Sequence, residues 1–154
     1  MKLLFLIPLI GALTLQGGAG GGAVHVWKSS ELKGKGQALA RKLDANKVAT
    51  ETLAPGSKPG FVLAYREASG QAEMHDTEGD VMFFVEGEVT MVHGGTVVDG
   101  KTTAPGETRG SGITGGTEVR LGPGDVLHIP AKVAHQMKLA PGARVTYFVA
   151  KVAE

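Results

Sequence analysis

The sequence predicts an all-β domain, a barrel or sandwich of short strands, and three observations carry that prediction. Glycine is abundant, at 24 of 154 residues, and it clusters in turn-forming pairs such as Pro55-Gly56, Pro59-Gly60, Gly94-Gly95 and Pro141-Gly142. Between these marks lie short apolar or alternating runs of the kind that form half-buried strands. Helix-favouring runs are scarce. The length suits one domain.

The N-terminus is set apart first. Lys2 precedes an apolar run, Leu3 to Leu15, and a small-residue stretch that ends near Ala23. A basic start, a brief apolar core and small residues are the three parts of a secretory signal peptide. The competing reading is a retained membrane anchor. Spanning needs about 20 apolar residues, and this run is shorter, with Pro8 and Gly11 inside it. Residues 1–23 are therefore expected to direct export and be cleaved, leaving a secreted or periplasmic protein with no stable membrane insertion. No Cys follows the run, so lipidation at a Cys is excluded.

Residues 24–59 read as an N-terminal arm. Val24-His25-Val26-Trp27 alternates and could add an edge strand. Glu31 to Leu43 carries Leu32, Leu39 and Leu43 at helical spacing, with Ser29 and Ser30 as caps, although Gly34 and Gly36 weaken this short helix.

Residues 60–154 read as the barrel. Strands are expected over Phe61–Arg66, Ala72–His75, Val81–Val85, Glu88–His93, Thr96–Val98, Thr117–Leu121, Val126–Ile129, His135–Leu139 and Val145–Val152. Glu86-Gly87 reads as a hairpin turn. Residues 99–116 lack periodicity and read as an excursion loop. Their Glu107 and Arg109 could close over a barrel mouth or simply be solvated.

Charge and cysteine usage remove several functions. The 16 basic groups less Lys2 leave 15 against 15 acidic groups, which gives no electrostatic footprint for nucleic acid. The absence of Cys removes disulfides, thiolate chemistry and Cys-ligated zinc.

Two clusters carry the chemistry. In Glu73-Met74-His75-Asp76-Thr77-Glu78-Gly79-Asp80, Glu73 and His75 share a strand face, and Asp80 shares a face with Met82 and Phe84. Asp80 can then approach His75 across the turn. In the second cluster, Gly124 to His135, the turn at Gly124-Asp125 and the stiffening Pro130 deliver His135 to the start of a strand. Two imidazoles with neighbouring carboxylates suit a divalent first-row metal.

These clusters resemble the two motifs of the cupins. The first cupin motif runs His-x-His, three or four residues, Glu, six residues, Gly; here Glu73, His75, Asp80 and Gly87 stand at those positions. The second runs Gly-x5-Pro-x-Gly-x2-His-x3-Asn; Gly124, Pro130 and His135 are in register, with Lys132 where Gly is usual and Leu139 where Asn is usual. The resemblance covers residues 60–150. It implies a single jelly-roll barrel with Glu73, His75, Asp80 and His135 at the metal-ligand positions. The ion would be Mn, Fe, Zn or Ni, and small molecules would be the partners. The resemblance also implies a homodimer, for which the arm and an edge near Trp27 are the expected contact. A metal-dependent enzyme and a non-enzymatic ligand- or metal-binding barrel both remain open. Further contacts to the ligands or to substrate are assigned to His128, which alternates with Val126 and Pro130, and to Met82, Phe84 and Met137. For those three, ordinary core packing is the competing reading.

Overall fold

The computed structural model of the protein describes residues 23–154, so the expected signal peptide, apart from Ala23, lies outside the described residues. Among the described residues, one helix, α1 (Ser29–Leu39), precedes thirteen strands. They are β1 (Val48–Thr52), β2 (Gly60–Arg66), β3 (Ala72–His75), β4 (Glu78–Gly87), β5 (Val89–His93), β6 (Thr96–Val98) and β7 (Lys101–Ala104). Then follow β8 (Glu107–Gly110), β9 (Gly112–Thr114), β10 (Thr117–Leu121), β11 (Val126–Ile129), β12 (His135–Lys138) and β13 (Val145–Ala153). A five-stranded sheet, β1-β2-β13-β4-β11, faces a six-stranded sheet, β10-β5-β12-β3-β8-β7, while β6 and β9 pair separately. All pairings are antiparallel. This is the all-β, jelly-roll-like barrel that the sequence predicts.

Alternation explains the interior. On β13, Val145, Tyr147 and Val149 point into the barrel and meet Met82 and Phe84 of β4, Met91 of β5 and Met137 of β12 in one buried cluster. The opposite face of the five-stranded sheet is covered by the helix. Leu32 and Leu39, about two turns apart on one helical face, pack there with Leu63, Tyr65 and Val85. Burying each such leucine contributes about 1.5–3 kcal/mol.

Several expectations are corrected. Residues 24–27 are not a strand; Trp27 instead lays its ring 5.1 Å from Phe61 and 5.5 Å from Phe148, against the protein's own sheet. The helix N-cap is Lys28, so Ser29 and Ser30 stand inside the first turn rather than capping it. The arm also contains β1, which adds to β2 with Val48 opposite Arg66. Glu86-Gly87 is not a hairpin turn, because β4 and β5 belong to different sheets. Gly87 marks the corner between them: its φ is +83°, and a Cβ there would overlap the carbonyl oxygen of Arg144. The excursion over 99–116 contains β7, β8 and β9. Its β7 is exposed throughout, so no burial pattern is written into its sequence.

Candidate metal centre

The site is assembled from cross-strand pairs. Glu73 and His75 point inward from β3, opposite Arg109 and Glu107 of β8 respectively. His135, the first residue of β12, pairs with Glu73. Asp80 reaches in from β4, directly across from Lys151 of β13. The turn at Asp76 and Thr77 carries the chain from one sheet to the other, which sets Asp80 against His75. A backbone bond ties the two clusters together, with the Lys132 N–H donating to the His75 carbonyl at 2.7 Å. Lys132 does this at φ +63°, a left-handed conformation that glycine adopts without strain.

Glu73, His75 and His135 bring one donor atom each to within 4.8 Å of one another. Asp80 Oδ2 lies 3.4 Å from His75 Nε2 and 3.7 Å from His135 Nε2, and Glu73 Oε1 lies 3.4 Å from His135 Nε2. Donors bound to one ion at about 2.1 Å sit roughly 3–4 Å apart, so small inward movements would suffice. His75, Asp80 and His135 are buried.

Hydrogen bonds orient both imidazoles. His75 Nδ1 donates to Glu107 Oε1 at 2.7 Å, and His135 Nδ1 donates to the Val133 carbonyl at 3.0 Å. Each bond leaves Nε2 facing the centre, the arrangement that metal-bound histidines use. Among the described residues, His135 Nε2 is buried without a hydrogen-bond partner. An orphaned lone pair of this kind is costly unless something fills the position. A cation would. The donor set therefore fits a divalent ion.

One cation is already present. Lys151 Nζ donates to Asp80 Oδ1 at 2.7 Å and lies 3.1 Å from His75 Nε2. Burial alone pushes the Asp80 carboxyl up, but hydrogen bonds from His75 and Lys151 outweigh it and hold the group below its ordinary range. The hydrogen bond with Asp80 raises the His75 pKa against burial and the Lys151 charge. For His135 burial dominates and keeps the ring neutral, lowering its pKa. A neutral imidazole is the form that binds metal.

The remaining expectations are sorted by position. Met82, Phe84 and Met137 are buried members of the core, with Met82 and Phe84 continuing the inward face that Asp80 begins. His128 does not face the interior. It does alternate with Val126, but that face of β11 is the exposed one, and Leu127 and Ile129 point inward instead. His128 bonds Glu154 at 3.0 Å on the outside. Lys151 is absent from the residues the sequence singles out, and Glu107 and Arg109 fall in its expected loop over 99–116. Lys151 did leave a signal, as the fourth member of the inward series Val145, Tyr147, Val149 and Lys151. A lysine on an apolar strand face is the anomaly to notice. Glu107 and Arg109, two apart, carry the same period-two spacing.

Comparison with known proteins places the fold. No family profile matches the chain, and no curated protein matches it significantly. Solved structures do. A predicted oxalate decarboxylase from Thermotoga maritima is 14% identical, with a TM-score of 0.50, over 70% of this chain and 81% of that one. The cupin domain of CENP-C from Drosophila melanogaster is 8% identical, with a TM-score of 0.51, over 70% and 71%. CapF is 8% identical, with a TM-score of 0.52, but the chain spans only 28% of its length. At such identities the likeness speaks for architecture alone, and that architecture is the cupin fold.

Proposed function

We propose that the protein is an exported metal-binding barrel in which Glu73, His75, Asp80 and His135 hold one Mn, Fe, Zn or Ni ion. On this reading it is a metal-dependent enzyme acting on a small organic molecule. The observation that carries the proposal is the convergence of two imidazole Nε2 atoms on Asp80 Oδ2, at 3.4 and 3.7 Å, with both Nδ1 hydrogens committed elsewhere. Bound there, a divalent ion would supply Lewis-acid polarisation of a substrate oxygen.

The chain's own residues have separate tasks. Glu107 and the Val133 carbonyl hold the rings in one tautomer. Lys151 neutralises Asp80 in the absence of an ion and must withdraw from His75 Nε2 when one enters, because two cations cannot share that position. Met82 and Phe84 keep the barrel dry beside Asp80. The fold does not choose among reactions.

A second reading rests on Lys151 itself. Its ammonium already pairs with Asp80 and stands 3.1 Å from His75 Nε2, as a metal-free barrel binding a small ligand would require. Elemental analysis of the protein purified from its native export route separates the two. About one metal equivalent per chain is expected, lost in His75→Ala and in His135→Ala while the circular dichroism spectrum persists. Undiminished metal in both variants, or none in the wild type, would overturn the assignment. Export through residues 1–23 and homodimerisation through the arm belong to the same proposal. Mass measurement of the exported chain, with cleavage near Ala23, and equilibrium sedimentation test them.

A further inference from the structure

Beside the candidate centre, at the end of the barrel where β2 stops, lies an open groove of about 380 Å³ whose walls include Lys47, Arg66, Ser69, Gln71, Glu73 and Arg109. Its charge is unbalanced. Glu73 is already paired with Arg109, which also reaches Glu107 at 3.2 Å. Asp44, an acid that feels the field of Arg66, is committed to the N–H groups of Asn46 and Val48 at 2.9 and 3.0 Å. Among the described residues no carboxylate lies within ion-pair distance of Arg66. Its Nε is buried and has no hydrogen-bond partner among those residues.

The Arg66 guanidinium is nevertheless positioned. It rests on Gly70, where a Cβ would come within 2.7 Å of Nη1 and 3.2 Å of Cζ. Gly70 is fixed in turn: its N–H donates to the Met137 carbonyl at 2.8 Å, and its carbonyl accepts from Gln136 Nε2 at 2.9 Å. Arg66 and Arg109 both line this groove. Two guanidinium groups held near one another, one lacking an anion, form a fork for a planar carboxylate.

We propose that this groove binds the carboxylate of a small organic acid, with Arg66 as its principal partner and Arg109 as the second. The inference deepens the enzymatic reading by naming a substrate class, and rests on that reading only for the reaction itself. Glu73 links the two places, since one of its oxygens faces His135 and the other Arg109. A carboxylate that engages Arg109 would free Glu73 to turn toward the centre.

The test is calorimetric titration of the full chain with malonate, neutral malonamide and inorganic phosphate, after chelation and again with Zn²⁺ added. Saturable malonate binding to the chelated protein is expected, with none for malonamide and weaker binding of phosphate. Arg66→Met should weaken malonate binding about tenfold or more. Gly70→Ala, which keeps the charge but displaces the guanidinium, should weaken it in the same direction. No malonate binding by the wild type, phosphate binding as tight as malonate, or unchanged affinity in folded Arg66→Met would overturn the groove. Malonate binding that depends on Arg66, in a protein that takes up no Zn²⁺, would uphold the groove and sink the metal centre. Zn²⁺ uptake without malonate binding would do the reverse.

Discussion

At the scale of single residues, the decisive feature is a cluster in which the Lys151 ammonium stands against a buried carboxylate and a buried imidazole. Removing one member of a buried ion pair leaves an uncompensated charge. Lys151→Met should therefore destabilise the metal-free protein by roughly 2–3 kcal/mol, measured by urea unfolding after chelation, and Zn²⁺ should restore that loss by mass action. Equal stability of the two metal-free proteins would show that Lys151 has no such role. The sign of the pH dependence follows from Asp80, whose folded-state pKa is depressed below 3.8. Its contribution is present above that value and disappears as pH falls through the folded-state pKa. The stability gap between wild type and Asp80→Asn should accordingly be full at neutral pH and close in acid, below about pH 4. Lys132 is a further residue-scale case. It carries a left-handed backbone at the position where the cupin motif has glycine, so Lys132→Gly should relieve strain and raise the melting temperature by a few degrees, for about 1 kcal/mol. The departure from the motif was visible in the sequence. That the backbone kept the glycine conformation was not, since only φ reveals it.

At the scale of elements, burial decided what could be read. Strands with at least one buried face, such as Val145–Ala153 and Gly60–Arg66, show alternation or apolar runs that are legible in the sequence. Strand β7 is exposed on both faces and reads as loop, although β8 beside it supplies Glu107 and Arg109 to the site. His128 was misplaced because period two identifies which residues share a face but not which face is inside. The helix gives a paired test of its packing. Gly36 is buried, and a Cβ there would meet Thr146 at 2.7 Å, whereas a Cβ at Gly34 meets nothing within 4 Å. Gly36→Ala should cost about 1–3 kcal/mol by overpacking, and Gly34→Ala should gain about 1 kcal/mol from helix propensity. Thermal unfolding of the two variants checks this, and shifts of the same sign would contradict the docking of α1 on the sheet.

At the scale of the whole molecule, the fold brings together groups that sequence distance hides. His75 and His135 could be matched because each sits in a recognisable cluster, but Lys151 lies 76 positions from His75 and joins the site only because β13 pairs with β4. On the proposed reading, His75 and His135 offer their Nε2 atoms to one shared ion. Long-range ¹H–¹⁵N correlation of the histidine ring nitrogens during a Zn²⁺ titration measures this most directly. The Nε2 resonances of His75 and His135 should move together and saturate near one equivalent, while His25, His93 and His128 stay in place. Either of the first two rings remaining unmoved at saturation, or the surface ring of His128 taking the ion first, would contradict it.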